Sequence, residues 1–394
     1  MNRKRQLDIW RLGLLALALA GWPFDSAQGR PSSVSRGANP ESATTAANWD
    51  WHTIGSAGAW SSGTTYMVFS SFGAGYPFGL TANAQFANYS GFLYPADRPF
   101  GTKNDFDGDR NADVAVYSQA DGAWEVWFSG SDYSSVRVNG WGGINFVPVA
   151  ADYDGDLKTD PAVYNTVSGD WYLFMSGSGY TPPVRVEAFG GGNWLAAPAD
   201  YDGDQRTDLG IYEPASGTLK VSLSHSGFTG DFANNLGGAR FVPVPADYDG
   251  DRIDDPAVFE ARKGVWNVLL SKIGYASVSE SGLGGLALGA PAYMAPVADY
   301  DGDGNADPAV YQGQSGNWYV WLSDSGYIRA MAEGCGDSTW TPVPADYDGD
   351  GKADLAVYRQ DTGHWMFWLS SYGYTPRIDV SGWGGRAFAP VQAH

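Results

Sequence analysis

A ten-residue acidic segment recurs six times along the 394 residues of this chain. It reads ADYDGDLKTD from Ala151, and the other copies begin at Asn104, Ala199, Ala246, Ala298 and Ala345. Consecutive copies begin 47, 48, 47, 52 and 47 residues apart. A period of this size is typical of solenoids, propellers and other repeat arrays. The chain is therefore expected to be built from six similar units.

Short apolar runs follow each acidic segment in a fixed order. The first is a run such as PAVY at 161–164, and the second opens with Trp124, Trp171, Trp266, Trp318 or Trp365, or with Leu219 in the third repeat. Two further runs and Gly-containing turns complete the period. Each period thus holds about four short strands, which predicts one four-stranded antiparallel blade. We predict an all-β fold, a β-propeller.

The aromatic rows of the repeats have two interpretations. Several second runs are apolar on both faces, as a blade packed between two others requires. Core packing between blades is therefore the favoured role of these residues. Sugar stacking by some of them is the alternative, and the exposure of the repeat-phased Trp141 and Trp383 should distinguish the two.

The two ends of the chain suggest how the ring closes. Six repeats fill 97–385, and 386–394 resembles the strand that precedes an acidic segment. Strand-like runs at Thr65–Ser71 and Phe86–Leu93 lie in 48–96, which has no acidic segment. We expect these N-terminal strands and the C-terminal strand to form one closing blade, giving seven blades and no exposed sheet edge. Six blades, with the N-terminal segment packed outside, is the alternative.

The first 27 residues resemble an export signal. A basic start is followed by the apolar run LGLLALALA at 12–20, which is too short to span a bilayer. Ala20 and Ala27 are possible cleavage positions, and an uncleaved anchor is the alternative. Residues 28–47 are rich in small and polar residues and are interpreted as a flexible linker. We expect a secreted or cell-surface protein with no membrane span after removal of the signal.

The acidic segments have the composition of cation-binding loops. Counted from the first aspartate of each segment, positions 1, 3, 5 and 9 are aspartates in all six, and these positions account for 24 of the 44 acidic residues. Several oxygens from one short loop suit Ca²⁺, whereas Mg²⁺ demands a stricter octahedron. No His or Cys is present in these loops, which argues against zinc or copper. A polar turn is the alternative for a single copy, but six copies favour about six Ca²⁺ sites.

The loops followed by ADPAVY-like runs resemble the FG-GAP/VCBS repeat family. This resemblance covers about 97–394 and extends to the β-propeller of integrin α chains and to fungal propeller lectins. In the family, positions 1, 3, 5 and 9 and the carbonyl of position 7 bind calcium. The implied ligands are Asp105, Asp107, Asp109, Asn111 and Asp113; Asp152, Asp154, Asp156, Lys158 and Asp160; Asp200, Asp202, Asp204, Arg206 and Asp208; Asp247, Asp249, Asp251, Ile253 and Asp255; Asp299, Asp301, Asp303, Asn305 and Asp307; Asp346, Asp348, Asp350, Lys352 and Asp354.

Two departures from the family pattern affect these expectations. The glycine usual at position 6 is present only as Gly304 and Gly351. We expect weaker sites in the other four loops, where Arg110, Leu157, Gln205 and Arg252 replace it. The first repeat also lacks an apolar strand before its loop and has PFGTKND there instead.

Three hypotheses describe the function. The first is a non-enzymatic calcium-binding propeller that acts as an adhesion or interaction scaffold for a protein or glycan at the cell surface or matrix. The second is a calcium-dependent propeller lectin, and the third is an enzyme acting on polysaccharide. The formal charge of −20 and the absence of basic runs argue against nucleic acid. We expect a monomer.

No catalytic constellation supports the third hypothesis. Neither a Gly-x-Ser-x-Gly nor an HExxH motif occurs, and His52, His225, His364 and His394 are scattered. Each histidine is expected to be an ordinary surface or turn residue. Cys335, in EGCGD, is interpreted as an incidental thiol that replaces a turn glycine.

Overall fold

The computed structural model describes residues 102–228, 231–281 and 293–394, together with four short strands that precede them. The chain divides into two compact units, Met1–Pro99 and Phe100–His394. The predicted signal peptide and linker lie outside the described residues.

The first unit contains two antiparallel strand pairs. Strand β1 (Ala59–Ser62) pairs with β2 (Met67–Ser70), and β3 (Phe86–Tyr89) pairs with β4 (Phe92–Pro95). Strands β2 and β3 fall within the runs that the sequence predicts. Each pair is a separate two-stranded sheet.

The second unit consists of six four-stranded antiparallel sheets, which are the blades of a propeller. Blade 1 contains β5 (Val114–Ser118), β6 (Ala123–Phe128) and β7 (Ser134–Val138). Blade 2 contains β8 (Phe146–Pro148), β9 (Ala162–Asn165), β10 (Trp171–Leu173) and β11 (Val184–Val186). Blade 3 contains β12 (Leu195–Ala196), β13 (Leu209–Glu213), β14 (Thr218–Ser222) and β15 (Asp231–Asn235).

The other three blades repeat this order. Blade 4 contains β16 (Phe241–Pro243), β17 (Ala257–Glu260), β18 (Val265–Leu270) and β19 (Ala276–Ser281). Blade 5 contains β20 (Tyr293–Met294), β21 (Ala309–Gln312), β22 (Asn317–Leu322) and β23 (Ile328–Ala332). Blade 6 contains β24 (Trp340–Pro342), β25 (Leu355–Arg359), β26 (His364–Trp368) and β27 (Ile378–Ser381). The prediction of four-stranded blades is confirmed.

The ring closes with six blades, so the prediction of seven is wrong and the alternative of six is correct. The C-terminal strand β28 (Ala389–Pro390) pairs antiparallel with β5, where Ala389 lies opposite Tyr117. It thereby becomes the fourth strand of blade 1 and does not join β1–β4. The physical reason is that blade 1 has no apolar strand of its own before its acidic loop, and β28 supplies that missing strand.

Aromatic packing holds each blade to the next, as the favoured interpretation predicts. Trp171 is fully buried, and its ring centroid lies 4.8 Å from that of Tyr164 on the neighbouring strand. One core cluster joins this pair from blade 2 to Leu209 and Ile211 of blade 3. Trp124, Trp266, Trp318 and Trp365 are buried to the same degree in their own blades. Both faces of a central strand are therefore covered, which explains the absence of apolar alternation.

Candidate cation sites in the Asp loops

Each acidic segment forms a tight loop between the first and second strands of a blade. In the second loop, Ala151 and Asp160 close the ends through two backbone hydrogen bonds of 2.8 and 3.2 Å. Gly155 at position 4 has φ +79°, and Leu157 at position 6 has φ +68°. Glycine adopts this left-handed conformation freely, whereas other residues are strained by about 1–2 kcal/mol. This gives a physical reason to expect weaker sites where position 6 is not glycine.

The carboxylate at position 1 holds the loop in its curled form. One oxygen of Asp152 accepts a hydrogen bond from the Gly155 N–H at 2.6 Å, and the other accepts one from the Leu157 N–H at 2.8 Å. Both contacts recur in every loop. Both oxygens of the position-1 carboxylate therefore point toward the inside of the turn.

The carboxylate at position 9 ties the loop to a second turn of the same blade. Asp160 is fully buried and accepts hydrogen bonds from the backbone N–H groups of Tyr153 (3.0 Å) and Ser176 (2.7 Å). Ser176 begins the 3₁₀ turn Ser176–Ser178, which follows β10. The equivalent contacts occur in the other five loops.

Position 3 joins positions 1 and 9 in the first three loops, and positions 3 and 5 join position 1 in the fourth. The loops bring carboxylate oxygens to within 4.8 Å of one another in the clusters Asp105, Asp107 and Asp113; Asp152, Asp154 and Asp160; Asp200, Asp202 and Asp208; Asp247, Asp249 and Asp251. Oδ1 of Asp154, of Asp249 and of Asp348 is buried without a hydrogen-bond partner. Each of these atoms belongs to position 3. A buried carboxylate oxygen without a partner is costly, so this oxygen set fits a cation.

The electrostatics of the loops point in the same direction. Burial raises the pKa of Asp113, Asp160, Asp255 and Asp354 to about 7, and neighbouring carboxylates add to the effect. The pKa of Asp200 rises to about 8 because of burial and the nearby Asp254 carboxylate. These shifts mean that the crowded carboxylates resist ionisation unless positive charge compensates them.

A repeat-phased serine is a member of this cluster that the sequence prediction missed. The hydroxyl of Ser176 donates to the position-5 carboxylate of Asp156 at 2.6 Å. Five equivalent serines make the same contact: Ser129, Ser224, Ser271, Ser323 and Ser370. The available signal was a serine twenty residues after every position 5, shortly before the dipeptide that reads Gly179-Tyr180 in the second repeat.

Backbone hydrogen bonds join the six loops into a closed ring. The N–H at position 8 of each loop donates to the position-1 carbonyl of the preceding loop, as Thr159 does to Asp105 at 2.6 Å. The other pairs are Thr207 to Asp152, Asp254 to Asp200, Ala306 to Asp247, Ala353 to Asp299 and Ala112 to Asp346. The last pair links the first loop to the sixth and completes the circle.

The position-7 residues have a second role that the sequence did not indicate. The Lys158 side chain covers Gly108 of the preceding loop so closely that a Cβ there would lie 2.7 Å from its Cε. Asn111, Arg206, Ile253, Asn305 and Lys352 cover the equivalent glycines. The proposed carbonyl ligands thus belong to residues whose side chains pack on the neighbouring loop.

One residue makes a contact that the sequence did not indicate, and another occupies a different repeat position from the one expected. His225, expected to be an ordinary surface or turn residue, forms a hydrogen bond through Nδ1 to the Asp202 carboxylate of the third loop. Cys335 does not replace a turn glycine. Its N–H donates to Gly316 O, as that of Trp141 does to Gly122 O, so it occupies the repeat position of Trp141 and Trp383. It is buried, and burial raises its pKa to about 12, which suits an unreactive thiol.

Trp141 and Trp383, whose exposure should distinguish core packing from sugar stacking, are half-buried. Trp141 stacks on Phe174 of the next blade with ring centroids 4.2 Å apart. Trp383 of blade 6 stacks between Trp127 and Tyr133 of blade 1, at 5.4 and 5.2 Å. Both side chains therefore pack across a blade junction and also keep part of their surface in solvent.

Comparison with known proteins supports the repeat assignment. Residues 289–357 match the family described as FG-GAP-like repeat. This segment is therefore similar to an FG-GAP-like repeat. The matched segment includes the fifth and sixth loops, and the other four loops have the same pattern of aspartates. No curated protein matches the chain.

Solved structures resemble the propeller at low sequence identity. An Agrocybe aegerita lectin, whose structure concerns specific recognition of non-reducing terminal N-acetylglucosamine, has 17% identity and a TM-score of 0.50. The match covers 72% of this chain and 95% of that lectin, and it supports the fold alone. The Photorhabdus luminescens Tc holotoxin pore matches at 15% identity with a TM-score of 0.41, over 78% of this chain and 17% of the pore chain. That second likeness is too low to support an inference.

Proposed function

We propose that this protein is a non-enzymatic binding module whose six-bladed propeller is stabilised by calcium ions in its Asp loops. One observation carries the proposal: in all six loops, the carboxylates at positions 1 and 9 are fixed by the same backbone hydrogen bonds. Such repeated fixing of charged groups suits an ion more than a simple turn. This proposal assigns no catalytic role to any residue of the loops.

Calcium suits the loops better than other common cations. The four carboxylates and the position-7 carbonyl are all oxygen donors, and Ca²⁺ takes about six to eight of these in flexible geometry. In the second loop, Asp152, Asp154, Asp156 and Asp160 would hold the ion with the Lys158 carbonyl. The ion would supply positive charge between the loop and the adjacent 3₁₀ turn. At ten times Kd, each independent site would stabilise the fold by about 1.4 kcal/mol.

Counting bound ions tests this proposal. The full chain is freed of metal and equilibrated with calcium, and we expect about six ions per chain. Asp160→Asn keeps the shape of the position-9 side chain but removes its charge, so this variant should bind one ion fewer. Asp132→Asn is the matched control, because Asp132 is exposed and lies outside the loops. Equal calcium binding by the wild type and Asp160→Asn would contradict the assignment of that loop.

We also propose that the protein is exported and acts outside the cell. The basic start and short apolar run of the first 27 residues support this, as does an extracellular supply of calcium for sites of modest affinity. Among the described residues, no helix is long and apolar enough to cross a membrane. Amino-terminal sequencing of the secreted protein should find a new terminus near residue 21 or 28. An intact Met1 in cell-retained protein would contradict export.

Glycan binding is the second candidate function, and the partial exposure of Trp141 and Trp383 favours it. Each ring presents part of its surface at a junction between two blades, where a sugar face could stack. A glycan array probed with calcium and again with EDTA tests glycan binding. Selective binding that Trp383→Leu removes without changing the unfolding midpoint would support a lectin, and no binding by folded protein would favour a protein partner.

A further inference from the structure

A histidine distinguishes the third Asp loop from the other five. His225 lies in the 3₁₀ turn Ser224–Ser226, and its Nδ1 contacts the position-3 carboxylate of Asp202. A ring nitrogen of His225 and one carboxylate oxygen each of Asp202 and Asp204 lie within 4.8 Å of one another. The imidazole is 57% exposed, so solvent and small ions reach it directly. The imidazole and the two carboxylates are therefore close enough together to bind one ion.

The equivalent turns of the other repeats offer no such nitrogen. Their residues at this position are Gly130, Gly177, Lys272, Asp324 and Ser371. In the first four, the backbone N–H donates to the position-3 carboxylate at 2.9–3.2 Å, and in the last the Ser371 hydroxyl does so at 2.5 Å. An amide N–H has no free lone pair for a metal, whereas a neutral imidazole has one.

The chemistry of the third loop therefore differs from that of an all-oxygen site. Calcium prefers oxygen donors, whereas Zn²⁺, Co²⁺ and Ni²⁺ bind imidazole nitrogen together with carboxylate oxygen. We propose that His225, Asp202 and Asp204 form a transition-metal site, which gives the third loop an affinity for zinc that the other five loops lack. His225 lies 23 residues beyond Asp202 and therefore outside the ten residues of the third acidic segment.

This inference rests on the proposed role of the loops as cation sites, but its failure can be distinguished from failure of the proposed function. The calcium ligands proposed for the third loop are Asp200, Asp202, Asp204, Asp208 and the Arg206 carbonyl, so they do not include His225. Loss of the imidazole should therefore leave calcium binding close to that of the wild type. Absence of calcium binding with retained zinc binding would overturn only the proposed function.

Cobalt is the first probe, because its visible absorption reports nitrogen ligation. The metal-free full chain is titrated with Co²⁺ without calcium, because Asp202 and Asp204 are also proposed calcium ligands, and zinc is then added as a competitor. We expect one Co²⁺ site per chain that zinc displaces. His225→Ala should weaken Co²⁺ binding at this site by roughly 10–100-fold. Loss of a group that only hydrogen-bonds to a metal ligand already lowers metal affinity by this factor. His364→Ala is the matched control, because His364 contacts only one carboxylate, Asp379, which also pairs with Arg377.

A gain-of-function variant keeps the proposal testable from the opposite direction. Ser371→His places an imidazole beside Asp348 at the equivalent, exposed position of blade 6. It should add a second site with a similar Co²⁺ spectrum, and the unfolding midpoint confirms that each variant folds. The proposal would be overturned if His225→Ala bound Co²⁺ and Zn²⁺ with the same affinities as the wild type.

Discussion

At the residue scale, two aromatic side chains and a glycine-containing turn set the spacing between the strands and the turn that follows the third strand, as blade 2 shows. In blade 2, the Tyr164 hydroxyl accepts a hydrogen bond from the Gly191 N–H at 2.6 Å, and the Trp171 indole donates to the Phe189 carbonyl at 3.0 Å. Gly190 lies between these contacts with φ +114°. Glycine at position 190, in one of the Gly-containing turns of the repeat, is therefore required by close approach as well as by backbone conformation.

Gly190→Ala should destabilise the protein by about 2–4 kcal/mol, because its Cβ would overlap the Tyr164 hydroxyl oxygen in addition to straining the backbone. Gly179→Ala is the matched control. Gly179 also has positive φ, at +74°, but its Cβ would meet nothing within 4 Å, so it should cost only about 1–2 kcal/mol. Urea unfolding of both variants measures the difference, and equal losses would contradict the interlock.

The Ser176 hydroxyl is expected to stabilise the second loop. Ser176→Ala removes a 2.6 Å hydrogen bond to a charged acceptor and should cost about 1.5–3 kcal/mol. Ser178→Ala, in the same turn, removes only a 3.0 Å bond to the Met175 carbonyl and should cost about 1 kcal/mol. Chemical denaturation of the two variants in calcium tests this order. A larger loss for Ser178→Ala would contradict the role of Ser176.

At the element scale, the acidic loop and its 3₁₀ turn act as one structural unit. Asp160 holds the two segments together through opposite oxygens, and the two segments are separated by strands β9 and β10. Sequence reasoning predicted the loop from its aspartates, since four repeated carboxylates leave a clear pattern. It did not predict the turn, because one serine that recurs within a polar segment is a weaker signal than four recurring aspartates.

The pH dependence of stability should reveal these carboxylates. In the unfolded chain the aspartates titrate near 3.8, whereas burial raises the pKa of Asp160 to about 7 in the folded protein. The folded state therefore binds more protons between these values, and its stability falls as pH rises from about 4 to 7. In chelator, the unfolding midpoint should decrease over this window. Calcium favours the ionised carboxylates, so its stabilising effect should increase with pH; a constant effect would contradict this account.

At the scale of the whole molecule, closure is achieved by the last strand and by the ring of loop hydrogen bonds. Sequence periodicity predicted the blades and their four strands, because those features repeat. The C-terminal strand was recognised from its likeness to the first strand of a repeat, but its partner was not, because ring closure occurs only once. The N-terminal strand-like runs suggested a seventh blade, and the PFGTKND segment, which lacks an apolar strand, was the signal that β28 belongs to blade 1.

Two adjacent residues provide a test of this closure. Val391 is buried in the blade 1 core, and its N–H donates to the Ala115 carbonyl at 2.9 Å, whereas Gln392 is exposed. Val391→Asp would bury an unpaired charge and should destabilise the protein by about 3 kcal/mol or more. Gln392→Asp should change stability by less than about 0.5 kcal/mol. Similar unfolding midpoints for the two variants would show that the last strand does not close the ring.

The dependence of unfolding on calcium tests the central claim most directly. The full chain, shown to be free of metal, is unfolded by heat in strong chelator, in calcium and in magnesium at equal ionic strength. We predict a clear rise of the midpoint in calcium, increasing with calcium concentration, and a much smaller rise in magnesium. The same midpoint in chelator and in calcium would contradict a propeller stabilised by calcium in its Asp loops.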